Sequence, residues 1–144
     1  MKYLLLFFLL ESSFASVKTT LTIKDKKIML TNTSEIIWNK VCKQSEMGCA
    51  GFKIKTERKP NIKFGLLKIV ANNLQPQYLN DYCQKVFNLG HKNKNTQIKK
   101  ISHCLWTEND LEVSFFLKKN ILFSLTHEKD IEENKIFEGI KVYE

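Results

Sequence analysis

Apolar and polar residues alternate along most of this chain, and such period-two stretches predict strands. Val17 to Lys24 and Lys27 to Thr31 flank Asp25-Lys26. Leu21 and Ile23 share one face there, with Ile28 and Leu30 continuing after the turn, the pattern of a hairpin. Farther on, Phe52, Ile54 and Thr56 alternate with lysines as far as Lys59-Pro60-Asn61, and the turn leads into Ile62 to Ala71 as a second hairpin. Leu66, Leu67, Ile69 and Val70 are apolar on both faces, which predicts a central strand covered on both sides and a helix over at least one of them. Ile98 to Thr107, Leu111 to Lys118 and Ile121 to Thr126 predict an antiparallel meander, joined by tight turns at Glu108-Asn109-Asp110 and Lys119-Asn120.

Helical spacing is expected in three places. Asn32 and Glu35 resemble a helix cap with its acidic partner, and Ile37, Trp38, Val41, Cys42 and Ser45 follow at helical spacing, predicting a short helix over residues 33 to 45. Pro76 to Leu89 carries Leu79, Tyr82, Cys83, Val86 and Phe87 as one stripe, with Pro76 suited to the first turn and Gly90 to the stop. A polar loop spans Gly90 to Thr96. Glu128 to Val142 is read as a terminal helix, capped by Thr126, with Glu128 and Asp130 at its positive end and Ile136, Phe137 and Ile140 turned inward. The predicted order is ββαββαβββα, an α+β fold in which helices flank an antiparallel sheet.

The first residues change where that fold is expected to work. Lys2, the apolar run Tyr3 to Leu10, then small residues at Ser13 and Ala15 match an export signal cut after Ala15. The run is too short for a membrane span, which takes roughly 20 apolar residues. Residues 16 to 144 then form one α+β domain, expected in the periplasm or outside the cell, with no transmembrane span once the signal is removed. An even number of cysteines in an exported chain points to disulfides. Cys42, Cys49, Cys83 and Cys104 allow three pairings, of which Cys42 with Cys49 and Cys83 with Cys104 is preferred and the other two stay open. A zinc site would need closer pairs such as C-x-x-C, and phosphate-cradling glycine loops are missing from the sequence, so neither a metal nor a cofactor is expected.

A net charge of +8 invites a nucleic-acid or anionic-surface reading. Against nucleic acid, Arg58 is the single arginine among 23 basic residues, whereas guanidinium groups make the two-pronged contacts to phosphate and guanine. Most lysines stand beside turns as a solvated surface. Of the histidines, His103 and His127 could be brought together by the meander, with Lys100 or Lys118 supplying a cation, and such a pair would suit a secreted nuclease or other hydrolase. His103 beside Cys104 cannot act as base and nucleophile, because neighbours on a strand point to opposite faces. The acidic residues Asp81, Glu108, Asp110 and Glu112 read as turn and surface charges. Trp38 and Trp106 are the side chains to watch at an interface, although each lies in an apolar pattern that suits a core.

The segment Phe123-Ser124-Leu125-Thr126-His127-Glu128-Lys129-Asp130-Ile131-Glu132, followed by Asn134 to Ile140 with its Phe-x-x-Ile face, resembles the close of exported PsbP/Mog1-like domains. That resemblance, covering Leu111 to Val142, implies a helix-sheet-helix sandwich without an active site that serves as an interaction module. Together these readings make the expected function that of a non-enzymatic exported binding protein. Its partner would be another exported or envelope protein, or a toxin to be neutralised. A hydrolase using His103, His127 and Lys100, and a lysine-based binder of anionic surfaces, are the alternatives.

Overall fold

The computed structural model describes residues 18–23, 25–39, 42, 48–57, 59, 61–87, 94–98 and 101–144. The export signal read at residues 1 to 15 lies outside them, as do His91 and Lys100. Ten strands and two helices occupy the described residues: β1 (Lys18–Ile23), β2 (Lys26–Thr31), β3 (Ile36–Asn39), β4 (Cys49–Lys55), β5 (Ile62–Ala71), α1 (Leu79–Phe87), β6 (Lys94–Ile98), β7 (Ile101–Glu108), β8 (Leu111–Lys118), β9 (Ile121–Glu128), α2 (Glu133–Glu138) and β10 (Ile140–Tyr143). The fold is mixed α+β and mostly antiparallel sheet. Its order, βββββαββββαβ, replaces the expected ββαββαβββα.

A seven-stranded sheet runs β3-β4-β5-β9-β8-β7-β6, and a three-stranded sheet runs β1-β2-β10. All of their pairings are antiparallel. After β5, a 3-10 turn at Pro76–Tyr78 and then α1 carry the chain to the far edge of the large sheet. The β7-β8-β9 meander then folds back until β9 docks on β5. Asn109, and likewise Lys119 with Asn120, adopt positive φ at the meander's two turns, as tight hairpins between right-twisted strands require.

Register sorts the large sheet's side chains into two faces. Trp38 stands opposite Phe52, Phe52 opposite Gly65, and Gly65 opposite His127 in one row; Ala50, Leu67, Leu125 and Ser114 form the next. This face packs against the small sheet and α2. Leu21, Ile28, Leu30, Phe116, Phe123, Ile136, Phe137 and Ile140 join there in one buried core. The Phe116 ring lies 5.2 Å from Phe123 and 4.4 Å from Phe137, and each such buried side chain contributes about 1.5–3 kcal/mol of hydrophobic stabilisation. Gly65 has no alternative in this layer, because a Cβ there would stand 2.2 Å from the Phe52 ring and 2.9 Å from the Thr126 carbonyl oxygen. On the opposite face, Leu79 and Cys83 of α1 pack on Cys104, Phe115 and Leu122, with Tyr82 edge-on to Phe115.

Two expected helices are corrected, each by a competing local interaction. In place of a helix from 33, Asn32 accepts the Trp38 amide through its side-chain oxygen, and the Thr33 hydroxyl accepts the amides of Glu35 and Ile36. The capping groups close a turn, and Ile36, Ile37 and Trp38, β-branched and aromatic, leave it as a strand with Ile36 and Trp38 buried and Ile37 outward. Residues 40, 41 and 43 to 45 of that expected helix lie outside the described residues. The terminal helix is likewise only six residues long. Gly139 ends it, and Ile140 and Val142 then alternate with Lys141 and Tyr143 as β10, paired with β2. Thr126 and Glu128, expected near that helix's start, belong to β9, and Glu128 accepts the Phe64 amide instead. Overlapping the end of the stretch read as a polar loop, Lys94–Ile98 forms the large sheet's edge strand β6, where a polar, lysine-bearing sequence suits an unpaired edge.

Both disulfides of the preferred pairing are present: Cys42 with Cys49, and Cys83 on α1 with Cys104 on β7. Two disulfides are consistent with an oxidising environment. Among the described residues no helix is long and apolar enough to cross a membrane.

Candidate functional site

His103 and His127, the residues considered for catalysis, do converge, but on a carboxylate in the interior. Glu133, in the first turn of α2, reaches down onto the meander. Its Oε1 lies 3.7 Å from His127 Nε2 and its Oε2 lies 3.8 Å from His103 Nε2. The Ser114 hydroxyl on β8 donates to Oε2 at 2.7 Å. His127 Nδ1 sits 2.7 Å from the Glu128 carbonyl oxygen; a carbonyl only accepts, so Nδ1 carries a proton and Nε2 faces Glu133. A neutral imidazole would aim a bare lone pair at the carboxylate, whereas the cation aims an N–H.

Charge in this cluster is mutually stabilised. Burial works against the His127 cation, yet the Glu133 carboxylate and the Glu128 carbonyl outweigh it and raise the histidine's pKa above 6.5. Burial likewise works against ionised Glu133, and His127, Ser114 and His103 outweigh it, holding the carboxyl below its usual 4.5. His103 is 3 % exposed and His127 1 %. A general acid and base must meet a substrate, and these imidazoles look at a carboxylate, a poor neighbour for a phosphate. The geometry is that of a clamp between α2 and the sheet.

Lys118, the other cation considered, closes the opposite end of α2. Its Nζ donates to the carbonyl of Phe137 in the last turn of α2 and to that of Ile140, the first residue of β10. Burial and then the nearby charge of Lys141 lower its pKa to about 8. Trp38, considered for an interface, is 2 % exposed and packs on Phe52 with ring centroids 5.0 Å apart, so its indole belongs to the core. Trp106 stands on β7, and its side chain is outside those described. No group of three or more His, Cys, Asp or Glu among the described residues is placed to hold a metal ion.

What sequence reasoning missed is Glu133. Its signal was available: positions 133, 136, 137 and 140 are one stripe of helical spacing, and the stripe's first member is charged.

The surface offers a different kind of site. α1 covers only the β7-β8-β9 end of its face of the large sheet. Among the described residues no helix or strand covers the other half of that face, where Ile37, Lys53, Phe64, Lys55 and Ile62 lie on β3, β4 and β5. Ile37, Lys53 and Phe64 stand in register across it, followed by Lys55 opposite Ile62. Ile37 is 45 % exposed, Ile62 51 % and Phe64 57 %, and Leu66 beside them is half-buried. Lys53, Lys55 and Lys68 on the same face are exposed. The strand expected to be covered on both sides is thus covered on one side along its length and on the other only where α1 reaches.

No protein-family model, curated protein or solved structure matches the chain. The site is therefore argued from its own residues. At the end of this half of the sheet a polar cleft of about 700 Å³ opens between the β4 end and the β9–α2 loop, and includes Glu35, Glu57, Asp130, Glu132 and Lys135. Its charges answer one another: Lys135 lies 2.8 Å from Glu35 and 3.5 Å from Glu132. The open sheet face is the stronger candidate, since neighbouring large apolar side chains remain in water there.

Proposed function

We propose that the chain is an exported, non-enzymatic protein-binding module that docks its partner on the open half of the large sheet. The observation that carries this reading is the exposure of Ile37 on β3 and of Ile62 and Phe64 on β5, interleaved with Lys53 and Lys55 on the β4 strand between them and with Lys68 farther along β5. Large apolar side chains left in water mark an interaction surface. The interleaved lysines select a partner presenting apolar side chains mixed with Asp and Glu. Two disulfides fit work in an oxidising envelope or extracellular space. The likeness of Leu111 to Val142 to PsbP/Mog1-like interaction modules points the same way. Catalysis by His103 and His127 would first require the Glu133 clamp to open.

The test compares the oxidised wild type with Phe64→Ser and with Lys53→Glu/Lys68→Glu, each immobilised and exposed to native cell-envelope extract. All three positions are exposed, so stability should change by no more than about 0.5 kcal/mol per substitution. The expected result is one protein retained stoichiometrically by the wild type in high salt and lost with either variant. Retention unaffected by both variants would overturn the proposal. So would recovery of polyanions alone, released steeply as salt is raised, which is the behaviour of a lysine-based binder of anionic surfaces.

A further inference from the structure

The small sheet has an open edge beside a basic groove. Among the described residues β10 pairs with β2 alone, on one side. The Thr31 amide donates to the Gly139 carbonyl, and antiparallel ladders alternate their hydrogen-bonding residues. Lys141 and Tyr143 therefore face β2 with their backbone groups, while those of Val142 face outward. Lys118 Nζ donating to the Ile140 carbonyl confirms this sense, because it reaches that oxygen from the open side.

Along this edge runs a cavity of about 340 Å³, lined by Lys118, Lys119, Ile140, Lys141, Val142 and Tyr143. Three of those six residues are lysines and none is acidic. The far wall is the β8–β9 turn, held in place by Lys26, whose Nζ donates to the Lys119 carbonyl at 3.0 Å and to the side-chain oxygen of Asn72 at 3.2 Å. Lys118 spends two N–H groups on Phe137 and Ile140, and an ammonium has three. Tyr143, 46 % exposed, offers an aromatic surface at the groove's end.

We propose that the β10 edge is a strand-addition site for an extended, acid-rich segment of a partner protein. The segment would lie beside β10 as a fourth strand of the small sheet, exchanging backbone hydrogen bonds with Val142. Its side chains alternate in direction, so carboxylates of one parity meet Lys118 and Lys119 while those of the other meet Lys141. The lysines supply the selection: three ammonium groups line the groove with no carboxylate among the lining residues, and an incoming carboxylate supplies the missing opposite charge. This inference rests on the reading of the chain as a binding module but uses a surface separate from the open face of the large sheet.

A capped hexapeptide alternating Glu and Val, titrated into isotope-labelled oxidised protein and followed by backbone amide resonances, tests it. The Val142 amide should shift together with its neighbours on β10, and binding should weaken as salt is raised. Lys119→Glu/Lys141→Glu, both at exposed positions, should reduce affinity by about tenfold or more, as expected when attractive charges at an interface are reversed. Phe64→Ser should leave the titration unchanged. An unmoved Val142 amide, equal binding of the Lys/Val counterpart peptide, or unaltered affinity in the doubly reversed variant would overturn the proposal. Because Phe64→Ser governs partner retention and the lysine pair governs peptide binding, either site can fail without the other.

Discussion

Replacing Glu133 by alanine is expected to destabilise the protein by about 3–5 kcal/mol, the cost of removing one partner of a buried charge pair. The variant leaves buried His127 with Glu112 as its remaining nearby carboxylate and Ser114 without its acceptor. It also frees the start of α2 from the meander, and α2 leads directly into β10. Glu133→Gln should cost less, since an amide oxygen can still accept from Ser114. Denaturant unfolding of the three proteins at one pH measures both values. A loss under about 1 kcal/mol for Glu133→Ala would place the pair among surface-like ion pairs and contradict the clamp.

The same cluster sets a pH dependence whose sign follows from its two shifts. The folded His127 pKa is raised above 6.5, so its contribution is complete below 6.5 and is lost as pH rises through the higher folded value. The folded Glu133 pKa is depressed below 4.5, so its contribution is complete above 4.5 and is lost as pH falls through the lower folded value. The clamp contributes fully between about 4.5 and 6.5. Glu133→Gln should flatten the decline on the alkaline side, because His127 then has no buried anion to favour its charge.

The second large effect belongs to Cys83 and Cys104. This bond closes a sequence separation of 21 residues and ties α1, a helix of nine residues, to β7. In the chain-entropy account a loop of this size is worth about 3 kcal/mol, and both sulfurs also fill the core beneath α1, where the cysteines are 1 % and 0 % exposed. Replacing both cysteines by alanine should therefore lower unfolding free energy by about 3 kcal/mol or more. The loss should concentrate in α1: its amides would exchange with solvent faster than those of β5 and β9. An unchanged unfolding midpoint would contradict it. By comparison Cys42 and Cys49 are seven residues apart, and their removal should cost less.

Much of the sheet was legible because period-two patterning is local. Leu21 and Ile23, then Ile28 and Leu30, sit as the alternation requires, and the β7-β8-β9 meander follows its tight turns. The stripe of α1 was equally clear. What failed were places where one set of residues satisfies two patterns. Asn32 and Thr33 have the chemistry of a helix cap and of a strand-entry turn, and the turn prevailed because Ile36, Ile37 and Trp38 pack best in a pleat. Ile136, Phe137 and Ile140 fit one helical stripe whether or not the helix passes Gly139. β6 carries too little apolar character to announce itself, its partner strand supplying the pairing. The open face could not be read at all: Phe64 and Ile62 are as apolar as Leu67 and Ile69, but the latter pair lies on the face covered by the small sheet and α2, and the other face is covered only where α1 lies.

The central claim, that the open half of the large sheet is where a partner protein docks, is tested most directly by photo-crosslinking. A benzophenone side chain would replace Phe64 in one variant and Tyr78 in another, Tyr78 being similarly exposed at 51 % on the turn before α1. Crosslinking of a single protein from position 64, absent from position 78 and abolished when Lys53 and Lys68 are reversed to glutamate, is the predicted result. Equal crosslinking from both positions, or from position 78 alone, would contradict it.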